Sequence, residues 1–319
     1  MKIPGFIFVI SFSLFLAACE EPMEEPTAQP LLKGYHITAM AFDGQGNAWF
    51  GTLNQGLIKF DGQSVMVYPE ITGMVRAIKV DSKNQVYMAA DGLVKFDGQD
   101  FIRYDDNPLM EGNVTALDID SKDRVWFAVG GFNHGGLGRL DGDSLSFYTP
   151  DNSPLPAHWV SAVKVGSNDE VWLSSQSSVG NLHLAKIREE DWTLFDSESL
   201  GFSPYSISNL DENSRGELIG GIDYSLSSTI ALSRPPLFTF DESEGRQIMS
   251  DRPLSVIQIF VDRSDRVWCA GSGGYALYQN NTWTYDEETF KEISVFAIAQ
   301  APDGTIWLGT GDGVYLLML

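Results

Sequence analysis

Basic residues are scarce in this chain of 319 residues, which has 21 Lys and Arg against 43 Asp and Glu and a formal charge of −22. Nucleic-acid binding needs clustered Lys and Arg, so the composition argues against a nucleic-acid partner. It also argues against attachment to an anionic membrane by charge alone. Only two cysteines occur, which excludes a disulfide framework and a four-cysteine zinc site.

Catalytic and metal-binding signatures are also missing. The chain has four histidines, the last of them His183, and it contains no H-E-x-x-H, G-x-S-x-G or P-loop pattern. Asp-rich turns such as Asp120/Asp123 and Asp262/Asp265 lack the graded oxygen spacing and the bidentate Glu of a calcium loop. We therefore interpret these aspartates as turn formers, and we expect no catalytic residue, no metal and no cofactor.

The sequence has one long apolar run, which lies at the N-terminus. Lys2 precedes the apolar stretch Phe6–Leu16, which is too short to span a bilayer comfortably. We predict that residues 1–18 are a signal peptide. The sequence Leu-Ala-Ala-Cys that ends at Cys19 resembles the lipobox of bacterial lipoproteins, which implies lipidation of Cys19 with acyl chains such as palmitate. The alternative is an ordinary secretory signal.

The residues after Cys19 read EEPMEEPTAQP, which is acidic and rich in proline. Such a segment is typical of a solvated tether, and we assign residues 19–34 to it. The acidic run also resembles the surface-export signals of lipoproteins of the Bacteroidetes. We expect a bacterial cell-envelope protein held to the outer membrane by lipid on Cys19, on either the periplasmic or the surface side.

The rest of the chain, residues 35–319, is one repeated unit. Seven segments align, and the fifth is degenerate. They are residues 37–68, 75–104, 114–148, 160–195, 207–240, 256–285 and 295–319. Each has an apolar marker position, occupied in order by Trp49, Tyr87, Trp126, Trp172, Leu218, Trp268 and Trp307. The spacing of the marker fits four short strands with their turns.

Each unit has the same internal pattern. An alternating apolar strand leads into an Asp-rich turn, a second strand carries the marker, and a Gly-rich link precedes a third strand. An Asp-Gly pair such as Asp61-Gly62 closes a tight hairpin to a fourth strand that ends in an aromatic residue. The pattern predicts an all-β, seven-bladed β-propeller of four-stranded antiparallel blades, with the marker aromatics packed between blades.

The seventh unit contains three strands. We expect residues around Pro26–Leu32 to add as the outer strand of this last blade, and the alternative is a three-stranded blade. Cys269 lies between apolar neighbours, so we expect it to be a buried thiol without a disulfide.

The pattern in NAWFGTLNQGLIKFDG and TIWLGTGDGVYLL resembles the two-component-regulator propeller repeat. The resemblance implies a periplasmic sensor domain of the kind found in hybrid histidine kinases, often tied to polysaccharide sensing. We find no kinase domain and no transmembrane helix in the sequence, so the resemblance supports recognition and not signalling by this chain itself. The repeat also resembles streptogramin lyase, which uses histidines and a metal late in its chain, whereas residues 184–319 contain no histidine.

A ligand at the axis of a propeller would touch the residues that enter the inner strands. These are His36, Met74, Asn113, Trp159, Ser206, Ser255 and Ser294. The candidate ligand-binding residues, drawn from these and from the long links, are His36, Arg76, Asn113, Phe132, Asn133, His134, Trp159, Asp223, Tyr224 and Arg252. Aromatic, amide and acidic groups around a mouth suit a sugar or a peptide, and the alternative for each residue is that it is simply solvated.

These features predict a lipid-anchored, extracytoplasmic, non-catalytic module that binds a glycan, a peptide or an envelope protein. One alternative is a lyase-like or hydrolase-like enzyme acting on a small molecule or glycan at the axial mouth, which would need three or more converging His, Asp or Glu with shifted pKa values. Another is a structural subunit that binds through its rim, which an exposed apolar patch on an outer strand would favour.

Overall fold

The computed structural model describes residues 30–104, 113–131, 134–177, 182–204, 206–222, 235–252, 254–286, 289–290 and 292–318. The strands of the first four blades are β1 Ile37–Phe42, β2 Ala48–Thr52, β3 Leu57–Phe60, β4 Val65–Tyr68, β5 Ala77–Val80, β6 Val86–Ala90, β7 Gly92–Phe96, β8 Phe101–Tyr104, β9 Asn113–Ile119, β10 Val125–Gly130, β11 Gly136–Asp141, β12 Ser144–Tyr148, β13 Trp159–Val165, β14 Val171–Gln176, β15 Leu182–Arg188 and β16 Asp191–Phe195. Those of the last three are β17 Ile207–Glu212, β18 Leu218–Ile222, β19 Leu237–Phe240, β20 Gly245–Ile248, β21 Gln258–Val261, β22 Val267–Gly271, β23 Gly274–Gln279, β24 Thr282–Tyr285, β25 Val295–Gln300, β26 Ile306–Thr310 and β27 Gly313–Leu317.

Consecutive strands pair antiparallel to form one sheet per repeat, and the inner strand of each sheet contacts the inner strands of both neighbours around a closed ring. The seven-bladed β-propeller is therefore confirmed. The degenerate fifth repeat forms a complete blade from β17 to β20. A short helix, α1 Ser197–Leu200, links the fourth and fifth blades. Within the described part of the chain, no helix is long and apolar enough to cross a membrane.

The marker aromatics pack between adjacent blades, as the repeat pattern predicts. Trp126 is fully buried in a cluster with Val160 and Leu173 of the next blade, and Trp172 packs in the same way against Phe240. In the fifth blade the predicted marker, Leu218, is wrong by one residue, and Ile219 occupies the marker position. Ile219 pairs with Asp211 of the inner strand in the same way that the marker Trp126 pairs with Asp118 in the third blade.

An aspartate at the start of the first turn fixes the marker tryptophan. Asp120 Oδ1 accepts hydrogen bonds from the turn amides of Lys122 and Arg124, both at 3.0 Å, and Oδ2 accepts from Trp126 Nε1 at 2.9 Å. The first and sixth blades repeat this geometry. In the seventh blade Ala301 stands at the aspartate position, and the buried Nε1 of Trp307 has no hydrogen-bond partner. Turn formation therefore accounts for these aspartates.

This difference predicts unequal costs for the same substitution at two markers. We expect Trp126→Phe to lower the free energy of unfolding by about 1–2 kcal/mol more than Trp307→Phe, because only the first removes a hydrogen bond to a carboxylate. Both substitutions remove comparable apolar surface from the core, so Trp307→Phe is the matched control. Urea unfolding of the two variants measures the difference, and equal losses would contradict the assigned role of Asp120.

The seventh blade has three regular strands, and the N-terminal segment pairs with its outer edge. Leu31 and Val314 exchange two backbone hydrogen bonds, at 2.8 and 2.7 Å, in an antiparallel bridge. Leu31 therefore occupies the position that Tyr68 occupies in the outer strand of the first blade. Tyr68 pairs with Leu57 and Leu31 pairs with Val314, and each of these partners directly follows the glycine at the start of the third strand. The expected closure is present at Leu31, while the predicted residues 26–29 lie outside the described chain.

The first turns of neighbouring blades are also hydrogen-bonded to one another. The amide and hydroxyl of Ser82 donate to Asp123 of the next blade at 3.0 and 2.7 Å, and related contacts link the first six blades to their successors. At the junction of the seventh and first blades the corresponding residues are Pro302, which has no N–H, and Gly46, which has no side chain. This bond cannot form there, so the Leu31 bridge carries more of the closure.

Candidate functional site

The inner strands of all seven blades surround an axial channel with a volume of about 750 Å³. Cavities of this size hold small ligands, and the channel is the larger of the two cavities described below. Its walls are formed by strand edges that are held on both sides by neighbouring blades, so the channel is a rigid feature of the fold.

A β-bulge near the start of each inner strand turns one residue toward the channel entrance. In five blades the pairing between the inner strand and the second strand shifts register by one residue. In the second and sixth blades, two successive residues of the inner segment are both opposite one residue of the second strand. Bulges commonly redirect a side chain beside a binding site. The residues so placed, here called the mouth ring, are Thr38, Arg76, Thr115, Ser161, Ser208, Ile257 and Phe296, and all except Ser161 line the channel.

The mouth ring combines fixed hydroxyls with one cation that has no partner among the described residues. Thr38 Oγ1 donates to the backbone oxygen of Val75 in the next blade at 2.7 Å, and Ser161 Oγ donates to Ile207 at 2.7 Å. Arg76 is the charged member of the ring. It is half-buried, and within the described chain its guanidinium has no hydrogen-bond or ion-pair partner.

Deeper in the channel, four consecutive blades carry charges of alternating sign. Lys79 Nζ lies 2.9 Å from Asp118, and Lys164 Nζ lies 3.8 Å from Asp118 and 2.9 Å from Asp211. We call these four residues the charge chain. The second carboxylate oxygens are also occupied, because Asp118 accepts from the Val165 amide at 2.9 Å and Asp211 accepts from the next blade. The other blades have Phe260, Ala299 and Ala41 at this level.

The charge chain holds Asp118 and Lys164 in their ionised forms. Burial alone would raise the pKa of Asp118, but the ammonium groups of Lys79 and Lys164 outweigh it and the pKa is lowered. Burial would lower the pKa of Lys164, but Asp211 and Asp118 outweigh it and the pKa is raised. Both shifts move the pKa of the group further from pH 7. Neither group is therefore suited to exchange protons during catalysis near neutral pH.

The lowered pKa of Asp118 gives a pH dependence with a definite sign. Its contribution to stability is present above its unfolded pKa, whose ordinary value is 3.8, and is lost as the pH falls through the lower folded value. We expect Asp118→Asn to lose less stability than the wild type on acidification from about pH 6 to about pH 3. Urea unfolding at several pH values measures this, and parallel curves for the two proteins would contradict it.

The structure brings two predicted residues to the mouth. Arg76 lines the channel, and His36 lies beside it with its ring centroid 4.5 Å from that of Phe296. Burial lowers the pKa of His36, which favours its neutral form. Trp159 begins β13, is half-buried, and does not line the channel. Asn113 begins β9, and its side chain lies outside the description.

The other candidates are not gathered at the mouth. His134 is exposed in the link of the third blade and is not part of the channel lining. Arg252 lies over the ring of Tyr285 at 4.6 Å and lines a separate cavity of about 330 Å³ in the sixth blade. The remaining predicted residues fall outside the described chain. They are Phe132, Asn133, Asp223 and Tyr224.

Cys269 lines the wall of this second cavity and is otherwise buried, with burial raising the pKa of its thiol. The expectation of a buried free thiol is confirmed. Within the described part of the chain, no three His, Cys, Asp or Glu residues are grouped so that they could hold a metal ion.

Every predicted entry residue lies two positions before its mouth-ring member, as His36 does before Thr38, because the bulge follows the entry point. Of these entry residues, Met74 also lines the channel. The charge chain was missed altogether. Its signal is nevertheless in the sequence, since each member is a charged residue inside an apolar strand, two positions before the first turn.

The outer strand of the first blade exposes a run of apolar side chains. Val65, Met66 and Val67 of β4 are 46, 56 and 38% exposed. This strand has no charged residue, whereas the outer strands β8, β16 and β20 carry Arg103, Asp191 and Arg246. A charged edge discourages pairing with other chains. The outer strands β12 and β24 also lack a charged residue, but none of their side chains is among the exposed large apolar ones, so β4 differs from them in its exposed apolar run.

Comparison with known proteins supports the resemblance in the repeats. The family model for the two-component regulator propeller matches residues 31–54 and 289–312. No curated protein matches the chain. Among solved structures, the extracellular domain of a hybrid two-component system from B. thetaiotaomicron superposes with a TM-score of 0.69 at 16% identity, over 88% of this chain and 39% of that one. The chain thus spans about two fifths of that relative.

Two other similar structures are comparable in size to this chain. Streptogramin B lyase gives a TM-score of 0.68 at 16% identity, covering 92% of this chain and 97% of the lyase. The structure of YCF48 bound to D1 peptide gives a TM-score of 0.68 at 14% identity, covering 94% of this chain and 98% of the YCF48 chain. Identities this low establish the fold alone. The chain is a seven-bladed β-propeller, and two of its segments match the two-component regulator propeller model.

Proposed function

We propose that this protein is a lipid-anchored, extracytoplasmic, non-catalytic binding module that takes a small ligand at the mouth of its axial channel. The observation that carries the proposal is the division of the channel into two levels. The charge chain is internally neutralised, while the mouth ring above it presents an unpaired guanidinium, hydroxyl groups and an aromatic ring. A guanidinium, hydroxyl groups and an aromatic ring can bind a ligand, and none of them is a general base that would remove a proton from it.

The enzyme alternative has weaker support. General acid–base catalysis favours a group whose pKa lies near the working pH. Asp118 and Lys164 are shifted away from neutrality, and neutral His36 faces an aromatic ring and not a carboxylate. The similarity to streptogramin B lyase concerns the fold, and it comes without the late histidines that the resemblance would require.

Location outside the cytoplasm is supported by the lipobox and by the extracellular domains among similar structures. We expect Cys19→Ser to move the protein from the membrane fraction to the soluble fraction and to abolish incorporation of labelled palmitate. Cys269→Ser is the matched control, because Cys269 is buried in the sixth blade. Unchanged membrane fractionation of the Cys19→Ser variant would contradict the anchor.

Ligand binding is tested on the detergent-solubilised protein by thermal shift. Glycans, short peptides and divalent ions are screened separately. We expect stabilisation by at least one glycan or peptide, because a ligand that binds only the folded state raises its stability. The absence of any shift at high ligand concentration would contradict a small-ligand site.

The exposed strand β4 supports a second candidate function, binding of an envelope protein that adds a β-strand to this edge. The edge backbone of β4 has no neighbouring strand, and its three apolar side chains would be covered by such a partner. Met66→Lys should abolish this interaction in crosslinking from cells, whereas Gln63→Lys in the adjacent hairpin should not. Self-association of the purified protein through this edge would instead identify a second copy as the partner.

A further inference from the structure

The charge of the channel differs in sign from that of the whole protein. The lining has four cationic side chains and three acidic ones, an excess of one positive charge, in a chain whose formal charge is −22. The cationic residues are Arg76, Lys79, Lys164 and Arg263, and the acidic residues are Asp118, Asp211 and Glu212. The lining is therefore less repulsive to an anion than the chain as a whole.

Contacts within the protein account for all of these charges except one. Lys79 and Lys164 are neutralised by the two aspartates of the charge chain. At the opposite end of the channel, Arg263 Nη1 donates to the backbone oxygen of Pro302 at 3.1 Å, and the Glu212 carboxylate accepts from Ser167 at 2.7 and 3.0 Å. Arg76 is left as the charge that no described residue engages.

The surroundings of Arg76 suit an anion with two oxygens. A guanidinium presents parallel N–H groups that match a carboxylate in a bidentate arrangement. Arg76 is half-buried as a residue, and no described residue accepts a hydrogen bond from its guanidinium. Its backbone is fixed at the bulge by the hydrogen bond from its amide to Ala89 at 2.7 Å, which places the base of the side chain at the mouth.

One arc of the mouth ring is apolar. It consists of Ile257 of the sixth blade, three blades away from Arg76 in the second, and Phe296 of the seventh, two blades away, and His36 packs against Phe296. Hydroxyl-bearing residues fill the remaining positions, including Ser208 of the fifth blade, which also lies across the channel from Arg76. A ligand that fits this ring has a carboxylate at one end and a C–H or apolar face at the other. Sugar acids and the C-terminal residues of peptides both have this chemistry.

We infer that the axial mouth binds a small ligand that carries a carboxylate, and that Arg76 receives this carboxylate. The inference rests on the proposed function, because it names the ligand class of the same site. It gives a role to the one charge of the channel lining that no described residue engages.

The test uses pairs of probes that differ only in the charge of the carboxylate. Digalacturonic acid is compared with its dimethyl ester, and the tripeptide Ala-Ala-Phe with its C-terminal amide, by isothermal titration with the detergent-solubilised full chain. We expect at least one acid to bind about tenfold more tightly than its neutral partner. We also expect its binding to weaken as salt is added. The two arms identify the source of the carboxylate as sugar or peptide.

Arg76→Gln should reduce binding of the acid by about tenfold and leave binding of its neutral partner unchanged. Arg76→Lys, which keeps the charge but loses the fork, should give an intermediate affinity. Arg263→Gln is the matched control at the other end of the channel and should bind like the wild type. Thermal unfolding checks that each variant is folded, and the Lys variant serves as the test if the Gln variant is not.

Two results would overturn the inference and bear differently on the proposed function. If neutral glycans or peptides bind as tightly as their acids, or if Arg76→Gln retains full affinity for the acid, the ligand class is wrong while the binding function stands. If none of the probes and no member of the wider glycan and peptide screen binds, both proposals fail.

Discussion

Replacing Lys164 with methionine is expected to lower the free energy of unfolding by about 3 kcal/mol, because it removes one partner from a largely desolvated ion pair. Lys164 lies between Asp118 and Asp211, and its side chain is 22% exposed while theirs are 10 and 14% exposed. Without the ammonium group, Asp211 loses its ion-pair partner and Asp118 keeps only Lys79. Methionine preserves most of the side-chain volume, so the loss reports charge more than packing.

Lys83→Met is the matched control for this effect. Lys83 also pairs with an aspartate, Asp123, at 3.3 Å, but its side chain is 68% exposed. Exposed pairs contribute about 0–1 kcal/mol, so this variant should be nearly as stable as the wild type. Urea unfolding of both variants measures the difference. Similar losses for the two lysines would show that the channel is too well solvated for the charge chain to hold the inner strands together.

Gly313→Ala is expected to cost about 3 kcal/mol, because it strains the backbone and opens the closure of the ring. The residue has a φ of +106°, and an added Cβ would lie 2.4 Å from the backbone oxygen of Leu31. Neither backbone can retreat without breaking the bridge between Leu31 and Val314. The turn hydrogen bond found at the other junctions cannot form between the seventh and first blades. The N-terminal segment makes two more hydrogen bonds to the seventh blade nearby, from the Gly34 amide to Asp312 and from the Gly313 amide to Tyr35, both at 2.8 Å, and movement of Leu31 would disturb them as well.

Gly62→Ala separates the steric contact from the backbone strain. Gly62 has a φ of +91°, and nothing lies within 4 Å of a Cβ added there. It should cost about 1 kcal/mol, the strain of a positive φ alone. A larger loss at Gly313 in urea unfolding supports closure by the N-terminal segment. Equal losses would mean that Leu31 moves aside freely and does not hold the ring closed.

The blades could be predicted from the sequence because each repeat contains the local signals that define its strands and turns. Asp-rich turns, marker aromatics and Asp-Gly hairpins are local signals, and they place the strands within each sheet. The fifth marker was misplaced because Leu218 and Ile219 are both apolar and that repeat has no tryptophan. Pairing across the sheet, which the sequence does not contain, settles the register.

The candidate site was harder to predict because it is assembled from all seven repeats. Arg76 was selected as a residue of the links between strands, and nothing in the local sequence marks the bulge that turns it toward the axis. The partners in the charge chain come from successive repeats, so each looks like an isolated charge in an apolar strand. Only the closed ring brings Lys79, Asp118 and Lys164 together.

The central claim is that the axial channel binds a ligand without converting it. The most direct measurement is ligand-observed proton NMR of the full chain with a panel of acidic and neutral sugars and peptides, recorded at once and after long incubation. We predict saturation transfer to at least one carboxylate-bearing member, with its spectrum unchanged over time and the transfer lost in Arg76→Gln. Product resonances that grow during incubation, or no transfer to any member, would contradict the claim.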